Sequence, residues 1–214
     1  RRLEFMEDDR TTVVNDVSIT HLGQASFMIA FKEWVIYIDP FVIDDEPRKA
    51  DLILITHDHY DHWANIKKLR KSATQVIGRC PEAEKIDEYE ERDLGWVKIK
   101  ALPAYNIGKP FHPRGKGIGF LITLNDIRIY HTGDSDLIPE MKGINADIVL
   151  LPIGGKYTMN ADDAIKFVEM NVPSVVIPMH YNSSQYGVAG IETDPYNFKT
   201  RVEALKLGTD VRVI

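Results

Sequence analysis

Three of the seven histidines in this 214-residue chain, His57, His59 and His62, fall within six positions. They lie in Thr56-His57-Asp58-His59-Tyr60-Asp61-His62, directly after the apolar run Asp51–Thr56 (DLILIT). Such a run reads as a strand buried on both faces. In an extended segment alternate side chains share a side, so His57 and His59 can grip one ion together. Asp61 and His62 fall where the chain turns into a helix, and can serve a second ion nearby. Imidazole and carboxylate donors suit Zn²⁺, Fe²⁺ or Mn²⁺. Packing gains little from crowding histidines, whereas metal ligation requires it. The spacing H-x-H-x-D-H therefore predicts a metal site, not three surface histidines in a turn.

The elements that must carry these residues can be read from periodicity. Val17–Leu22, Ala25–Phe31 and Trp34–Asp39 are expected as strands joined by tight turns. After DLILIT, a helix is expected from Asp61 to about Lys71, then a strand at Thr74–Gly78. Pro81–Ile86 reads as a short helix opened by proline, and Glu88–Asp93 as a solvated charged loop. Strands are expected again at Trp96–Ala101, Gly119–Leu124, Ile127–His131 and Asp147–Pro152. The helix Ala161–Met170 should be capped by Asn160. Strand Ser174–Met179, helix Asn197–Leu207 and strand Val211–Ile214 complete the chain. Tyr105–Gly117, with two prolines and three glycines, is long enough for a functional loop.

A weak repeat is visible. Phe27-Met28-Ile29 with Val35-Ile36-Tyr37 matches Phe120-Leu121-Ile122 with Arg128-Ile129-Tyr130 at one offset, and an Asp-led buried strand follows each pair (DLILITH, DIVLLPI). Two such halves, sheet against sheet with helices outside, predict an α/β fold, a four-layer αββα sandwich in a single domain over 1–214.

Composition limits the alternatives. The net charge of -6 argues against a general electrostatic grip on nucleic acid. Lys67, Lys68, Arg70 and Lys71 are expected as a solvated helix face. The single cysteine, Cys80, excludes an internal disulfide. No apolar run reaches the roughly 20 residues of a membrane span. With no secretory apolar region at a start that lacks Met, the expectation is a cytoplasmic protein with a processed beginning. A homo-oligomer is left open.

HDHYDH resembles the signature of the metallo-β-lactamase superfamily. Further motifs agree: Asp39 in Ile38-Asp39-Pro40, Asp134 in YHTGDSD, and His180 in VVIPMHY. The resemblance spans about residues 17 to 182. LGQASFMI, YHTGDSDLIPEM, LLPIGGKYTM and VIPMHY are most similar to the branch of metal-dependent hydrolases related to ascorbate-6-phosphate lactonase, and to N-acyl-phosphatidylethanolamine phospholipases D. The resemblance implies two divalent ions, zinc first with manganese or iron as alternatives. The implied ligands are His57, His59, Asp61, His62, Asp134 and His180, with Asp134 bridging.

Two departures stand out. Gln24 occupies a position where the family often has His, and it can hydrogen-bond but not titrate. His21 could compensate, though a strand-end histidine is the plainer reading. Asn106 falls where a third imidazole for the first ion is expected. His112 could fold back to supply it, or either residue could contact substrate. Asp39, His131 and Gln24 are expected behind the ligands, holding them in place.

The implied chemistry is hydrolysis. Two ions roughly 3.5–4 Å apart would hold a hydroxide that attacks an ester, lactone, amide or phosphodiester, with Asp61 orienting or deprotonating the water. His59 stands where the oxygen-reducing di-iron branch has Glu, which favours hydrolysis over redox work. Tyr157 is expected as loop packing, although it could meet substrate. Gly115-Lys116-Gly117 fits no phosphate-loop spacing and is expected as a flexible turn. A small-molecule substrate is the first expectation. A phosphodiesterase acting on lipid or nucleic acid, and a non-catalytic metal-binding protein, are the alternatives. Specificity is expected from the loops Tyr105–Gly117 and Tyr181–Tyr196.

Overall fold

A computed structural model describes residues 9–181 and 190–214. Half of the segment Tyr181–Tyr196, read above as a specificity loop, thus lies outside the described residues. The first sheet has the order β1 (Thr11–Val14), β2 (Val17–Gly23), β3 (Ser26–Phe31), β4 (Trp34–Ile38), β5 (Leu52–Ile55), β6 (Gln75–Gly78) and β7 (Glu84–Lys85). The second runs in mirrored order from β14 (Asp210–Val211) through β13 (Val175–Met179), β12 (Ile148–Pro152), β11 (Ile127–His131), β10 (Gly117–Leu124) and β9 (Lys98–Ala104) to β8 (Glu91–Asp93). In each sheet, antiparallel hairpin strands lead into parallel ones.

The sequence repeat is a structural repeat. Met28 pairs with Tyr37 and Ile29 with Ile36, while Leu121 pairs with Tyr130 and Ile122 with Ile129. The Asp at the head of each buried strand does the same work in both halves. The Asp51 carboxylate accepts from the Val35 amide at 2.9 Å, and that of Asp147 from the Arg128 amide at 2.8 Å. Each carboxylate fixes the start of a parallel strand against its hairpin.

Alternation sorts the strand side chains. Phe27, Ile29, Ile36, Ile38 and Leu54 of the first sheet meet Ile99, Phe120, Ile122, Ile129 and Leu150 of the second in the central core. Tyr37, Ile53 and Ile55 face outward onto Ile66 and Leu69 of the short helix α2 (Ile66–Leu69). Tyr130, Val149 and Leu151 face outward onto Phe167 and Val168 of α3 (Ala161–Asn171) and onto Phe198 and Val202 of α4 (Pro195–Ala204). These are the four layers of an αββα sandwich. Asn160 caps α3 by accepting from the Asp163 amide at 2.9 Å.

Several local expectations are corrected. The helix expected from Asp61 to Lys71 is two single turns, α1 (Tyr60–Trp63) and α2. Asn65 breaks it by bonding elsewhere: its amide donates to Pro40 O at 3.1 Å and its side chain to Phe41 O at 2.6 Å. Pro81–Ile86 is a turn followed by β7, because Glu84 pairs beside Ile77 and Ile86 enters the core. Glu88–Asp93 is not all loop. Glu91 and Asp93 sit opposite Lys100 and Lys98 in an edge strand, with ion pairs of 2.8 and 3.3 Å across it. Opposite charges facing each other favour such pairing, and charge on an edge discourages further strands. β1 has no counterpart among the expected strands. Lys67, Lys68, Arg70 and Lys71 are exposed, and Lys67 and Lys71 pair with Glu82 and Asp51. Among the described residues, no helix is long and apolar enough to cross a membrane.

Candidate metal centre

The histidine segment leaves the end of β5, and the other candidate residues leave neighbouring strand ends: Asp39 after β4, Asp134 after β11, His180 after β13. The loop after β9 closes over them with His112. This is the end of the parallel strands, where both sheets release their chains into loops. Asp39, His180 and Gln24 all hold left-handed backbone, with φ of 47°, 52° and 52°. Such geometry in non-glycine residues costs energy and persists where surroundings enforce it. Gly133 also lies left-handed (φ 66°), and a Cβ there would stand 2.7 Å from Ile118 O. Glycine is therefore required just before Asp134.

Three rings gather first. His57, His59 and His112 each bring a ring nitrogen within 4.8 Å of the others, and His57 Nε2 lies 3.0 Å from His59 Nδ1. His112 reaches this position because Asn106 holds it there. The Asn106 side-chain oxygen accepts from the His112 amide at 3.0 Å and lies 3.1 Å from His112 Nδ1, while its NH₂ donates to Tyr157 O at 2.8 Å. Asn106 spends its amide on His112 and Tyr157 instead of joining the rings.

A second cluster surrounds Asp134. Its Oδ2 lies 3.1 Å from His180 Nε2 and 3.5 Å from Nε2 of both His62 and His112. Its Oδ1 and His180 Nδ1 are buried without hydrogen-bond partners among the described residues. Asp61 stands on the wall of the same cavity, about 220 Å³, with His59, His112 and His180. The Gln24 side chain donates to Asp61 Oδ2 at 2.8 Å, so glutamine here orients the carboxylate.

The hydrogen bonds fix which ring nitrogens are free. Asp39 accepts from the Thr56 amide (2.8 Å), from Thr56 Oγ1 (2.6 Å) and from His62 Nδ1 (2.8 Å). Because the Thr56 hydroxyl proton goes to Asp39, Thr56 Oγ1 must accept from His57 Nδ1, 2.9 Å away. His112 Nδ1 faces two acceptors, Asn106 Oδ1 and Tyr157 O, both at 3.1 Å. On His57 and His112 the proton thus sits on Nδ1 and the Nε2 lone pair turns inward, as outer partners of ligand histidines arrange it, while His62 gives its Nδ1 proton to Asp39 and turns Nε2 toward Asp134. Asp39, although near His57 and His62, has its oxygens engaged and serves as that outer partner. Thr56 is the link that sequence pattern did not reveal, since strand alternation marked it only as buried.

His131 is committed differently. The Gly133 amide donates to its Nδ1 at 3.1 Å, so Nε2 carries the proton and donates to Ala25 O at 3.0 Å. It braces the Gly133 turn and has no lone pair to offer. His21 turns both ring nitrogens to carbonyl oxygens, Gln24 O and Ile214 O, and stacks on Phe27 away from the cluster.

Electrostatics follow the same plan. Burial drives the His57 pKa well below its ordinary value, and neighbouring His62 adds to this, so His57 stays neutral. Burial also lowers His112 and His131. Burial opposes charge on His62, but the carboxylates of Asp134 and Asp39 outweigh it and hold its pKa well above the usual range. Burial likewise opposes charge on Asp134, yet His180 and His62 hold its carboxyl well below the usual carboxylate range. The centre is thus built for positive charge between Asp134 and the inward Nε2 atoms.

Residues 18–180 match the family described as the beta-lactamase superfamily domain. The chain belongs to that superfamily. A UPF0173 metal-dependent hydrolase of Nanoarchaeum equitans is 33% identical over 222 residues, covering 92% of this chain and 99% of the relative. A solved chain from Parabacteroides distasonis superposes with a TM-score of 0.81 at 30% identity, covering 92% of both chains. Igni18, a metallo hydrolase of Ignicoccus hospitalis, gives 0.76 at 27% identity, covering 92% of this chain and 94% of the other. This member of the superfamily is a metal-dependent hydrolase with the metallo-β-lactamase fold, and its His/Asp cluster is compatible with metal binding.

Proposed function

We propose that this chain hydrolyses a small ester, lactone or phosphorylated metabolite at a centre for two divalent cations, zinc first, with manganese or iron as the other candidates. One observation carries the reading. Asp134 Oδ2 faces Nε2 of His62, His112 and His180 within 3.5 Å, and His112, whose proton sits on Nδ1, turns the bare lone pair of its Nε2 toward that carboxylate oxygen. Lone pairs so opposed call for a cation between them, and the unpartnered Asp134 Oδ1 offers a further donor. The residues present therefore fit metal.

His57, His59 and His112 would hold one cation, and Asp61, His62 and His180 the other, with Asp134 shared. When bound, such cations supply Lewis acidity and lower the pKa of water. Asp61, with one oxygen engaged by Gln24, would accept the proton of the attacking water through its other oxygen. Asp39 and Thr56 would keep His57 and His62 turned inward throughout. Phe111 and Tyr157, whose ring centroids are 4.7 Å apart, would form the apolar wall that excludes bulk water. The cavity of about 220 Å³ suits a small reacting group. Both halves share one central core, which supports reading the chain as a single domain.

The test is metal content with turnover. About two divalent ions per chain, and hydrolysis of a generic ester or phosphodiester that is lost on chelation and restored by zinc or manganese, would support the proposal. One tight ion with no turnover of either substrate would overturn it.

A further inference from the structure

A second cavity, about 440 Å³, opens beside the metal centre. Four cationic side chains line it: Arg79 and Lys85 from the segment around β7, and Arg114 and Lys116 from the loop before β10. In a chain of net charge -6, four cations around one cavity are a local reversal of sign. Carboxylates offset them only in part. Arg79 and Lys85 share the single, exposed Asp87 at 3.2 and 3.0 Å, and Arg114 pairs with Glu140 at 2.7 Å. Arg79 Nε is buried with no hydrogen-bond partner among the described residues. Lys116 has no ion-pair partner among the described residues.

This cavity adjoins the centre. Lys116 and the exposed Asp58 line both it and a smaller cavity, about 240 Å³, whose other walls include His57, His59 and His112. Lys116 and Asp58 are thus the boundary between the imidazoles and the basic cavity.

We propose that this basic cavity binds a phosphoryl group carried by a small-molecule substrate whose scissile bond lies at the His57–His59–His112 end. Phosphate fits better than a carboxylate. A dianion is matched by more than one cation, and arginine forks suit phosphate oxygens. Asp58 at the junction repels an anion placed too near the imidazoles, so the phosphoryl group is seated beyond Lys116 and is not the group cleaved. Gly115-Lys116-Gly117 matches no known phosphate-loop spacing. Its lysine acts here as a point charge on a turn. The inference rests on the hydrolase reading for its catalytic half, but not for its binding half.

The binding half can be tested without metal. The chelator-treated, metal-free full chain is titrated with inorganic phosphate, with sodium chloride at matched ionic strength as control, while amide resonances are followed by NMR. Saturable shifts at Gly78, Arg79, Gly115 and Lys116 are expected with phosphate and not with chloride. Lys116 is exposed, so Lys116→Ala should fold normally and weaken phosphate binding roughly tenfold, the loss expected for one charge-assisted contact. Equal shifts with chloride, no saturation, or unchanged binding in Lys116→Ala would overturn the proposal. So would a single-stranded oligonucleotide that binds the same residues far more tightly than phosphate, because the occupant would then be nucleic acid. Absence of metal or turnover, with phosphate binding intact, would instead contradict the hydrolase reading alone. In the metal-loaded enzyme, Lys116→Ala should raise KM for a phosphorylated ester by a larger factor than KM for its unphosphorylated counterpart, and equal factors would contradict the proposal.

Discussion

At the scale of single residues, the account turns on which nitrogen of each imidazole is free. Thr56 decides this for His57, because its hydroxyl gives its proton to Asp39 and so can only accept. Thr56→Val keeps the shape and removes that acceptor. Loss of such an outer partner typically costs ten- to a hundredfold in metal affinity. We therefore expect zinc affinity to fall at least about tenfold in Thr56→Val, measured by competition with a chromophoric chelator. Unchanged affinity would mean that the Asp39–Thr56–His57 chain does not set the ring. His59→Ala should lose one of the two ions, as read by elemental analysis of the purified protein, and wild-type content would refute its role. Much of the residue cluster was legible in the sequence, because H-x-H-x-D-H, Gly133-Asp134 and Met179-His180 each sit at a strand end. The third imidazole was left open, with His112 as one alternative. His112 lies six residues from Asn106 on a loop of prolines and glycines, and its return is fixed by contacts with Asn106 and Tyr157 O that no periodicity encodes.

At the scale of elements, helices and strands are legible where burial is one-sided or complete, and illegible where a few tertiary bonds decide. The α3 cap was plain from Asn160 and Asp163. Asn160→Ala should cost about 1 kcal/mol, seen as a lower urea midpoint at unchanged slope, and an unchanged midpoint would deny the cap any role. In contrast, the break between α1 and α2 depends on Asn65 bonding Pro40 and Phe41, and β8 depends on Lys98 and Lys100 facing it. Pro40 and Phe41 are remote from Asn65 in sequence, and the charged run Glu88–Asp93 resembles a solvated loop until the hairpin sets Lys98 and Lys100 opposite it, so helical and charged patterns alone pointed elsewhere. Charge reversal at Glu91 tests the second case. Glu91→Lys places like charge opposite Lys100 and should loosen the edge strand, increasing hydrogen exchange at the Arg92 and Ile99 amides while the β12 amides stay protected. Protection unchanged at Arg92 would show that backbone pairing alone holds β8.

For the whole molecule, two related halves meet so that their parallel strands release their loops at one end. The repeat was visible because hydrophobic triplets recur at one offset, and the shared Asp51 and Asp147 contacts explain why the Asp recurs too. The placement of the loops needed the fold. Gly154 illustrates the coupling between packing and site: a Cβ there would stand 2.3 Å from His180 O. Gly154→Ala must push the β12 end away from His180. It should destabilise the chain by roughly 1–3 kcal/mol and lower occupancy of the cation assigned to His180, both read on one preparation by denaturation and elemental analysis. Full stability and full metal content would show that the strand ends move more freely than the packing allows.

The most direct measurement is anomalous diffraction at the zinc edge from crystals of the zinc-loaded protein. The account predicts two peaks, one touching His57, His59 and His112, the other touching Asp61, His62 and His180, with Asp134 reaching both. A single peak, or two peaks with His112 turned away and another residue in its place, would contradict it.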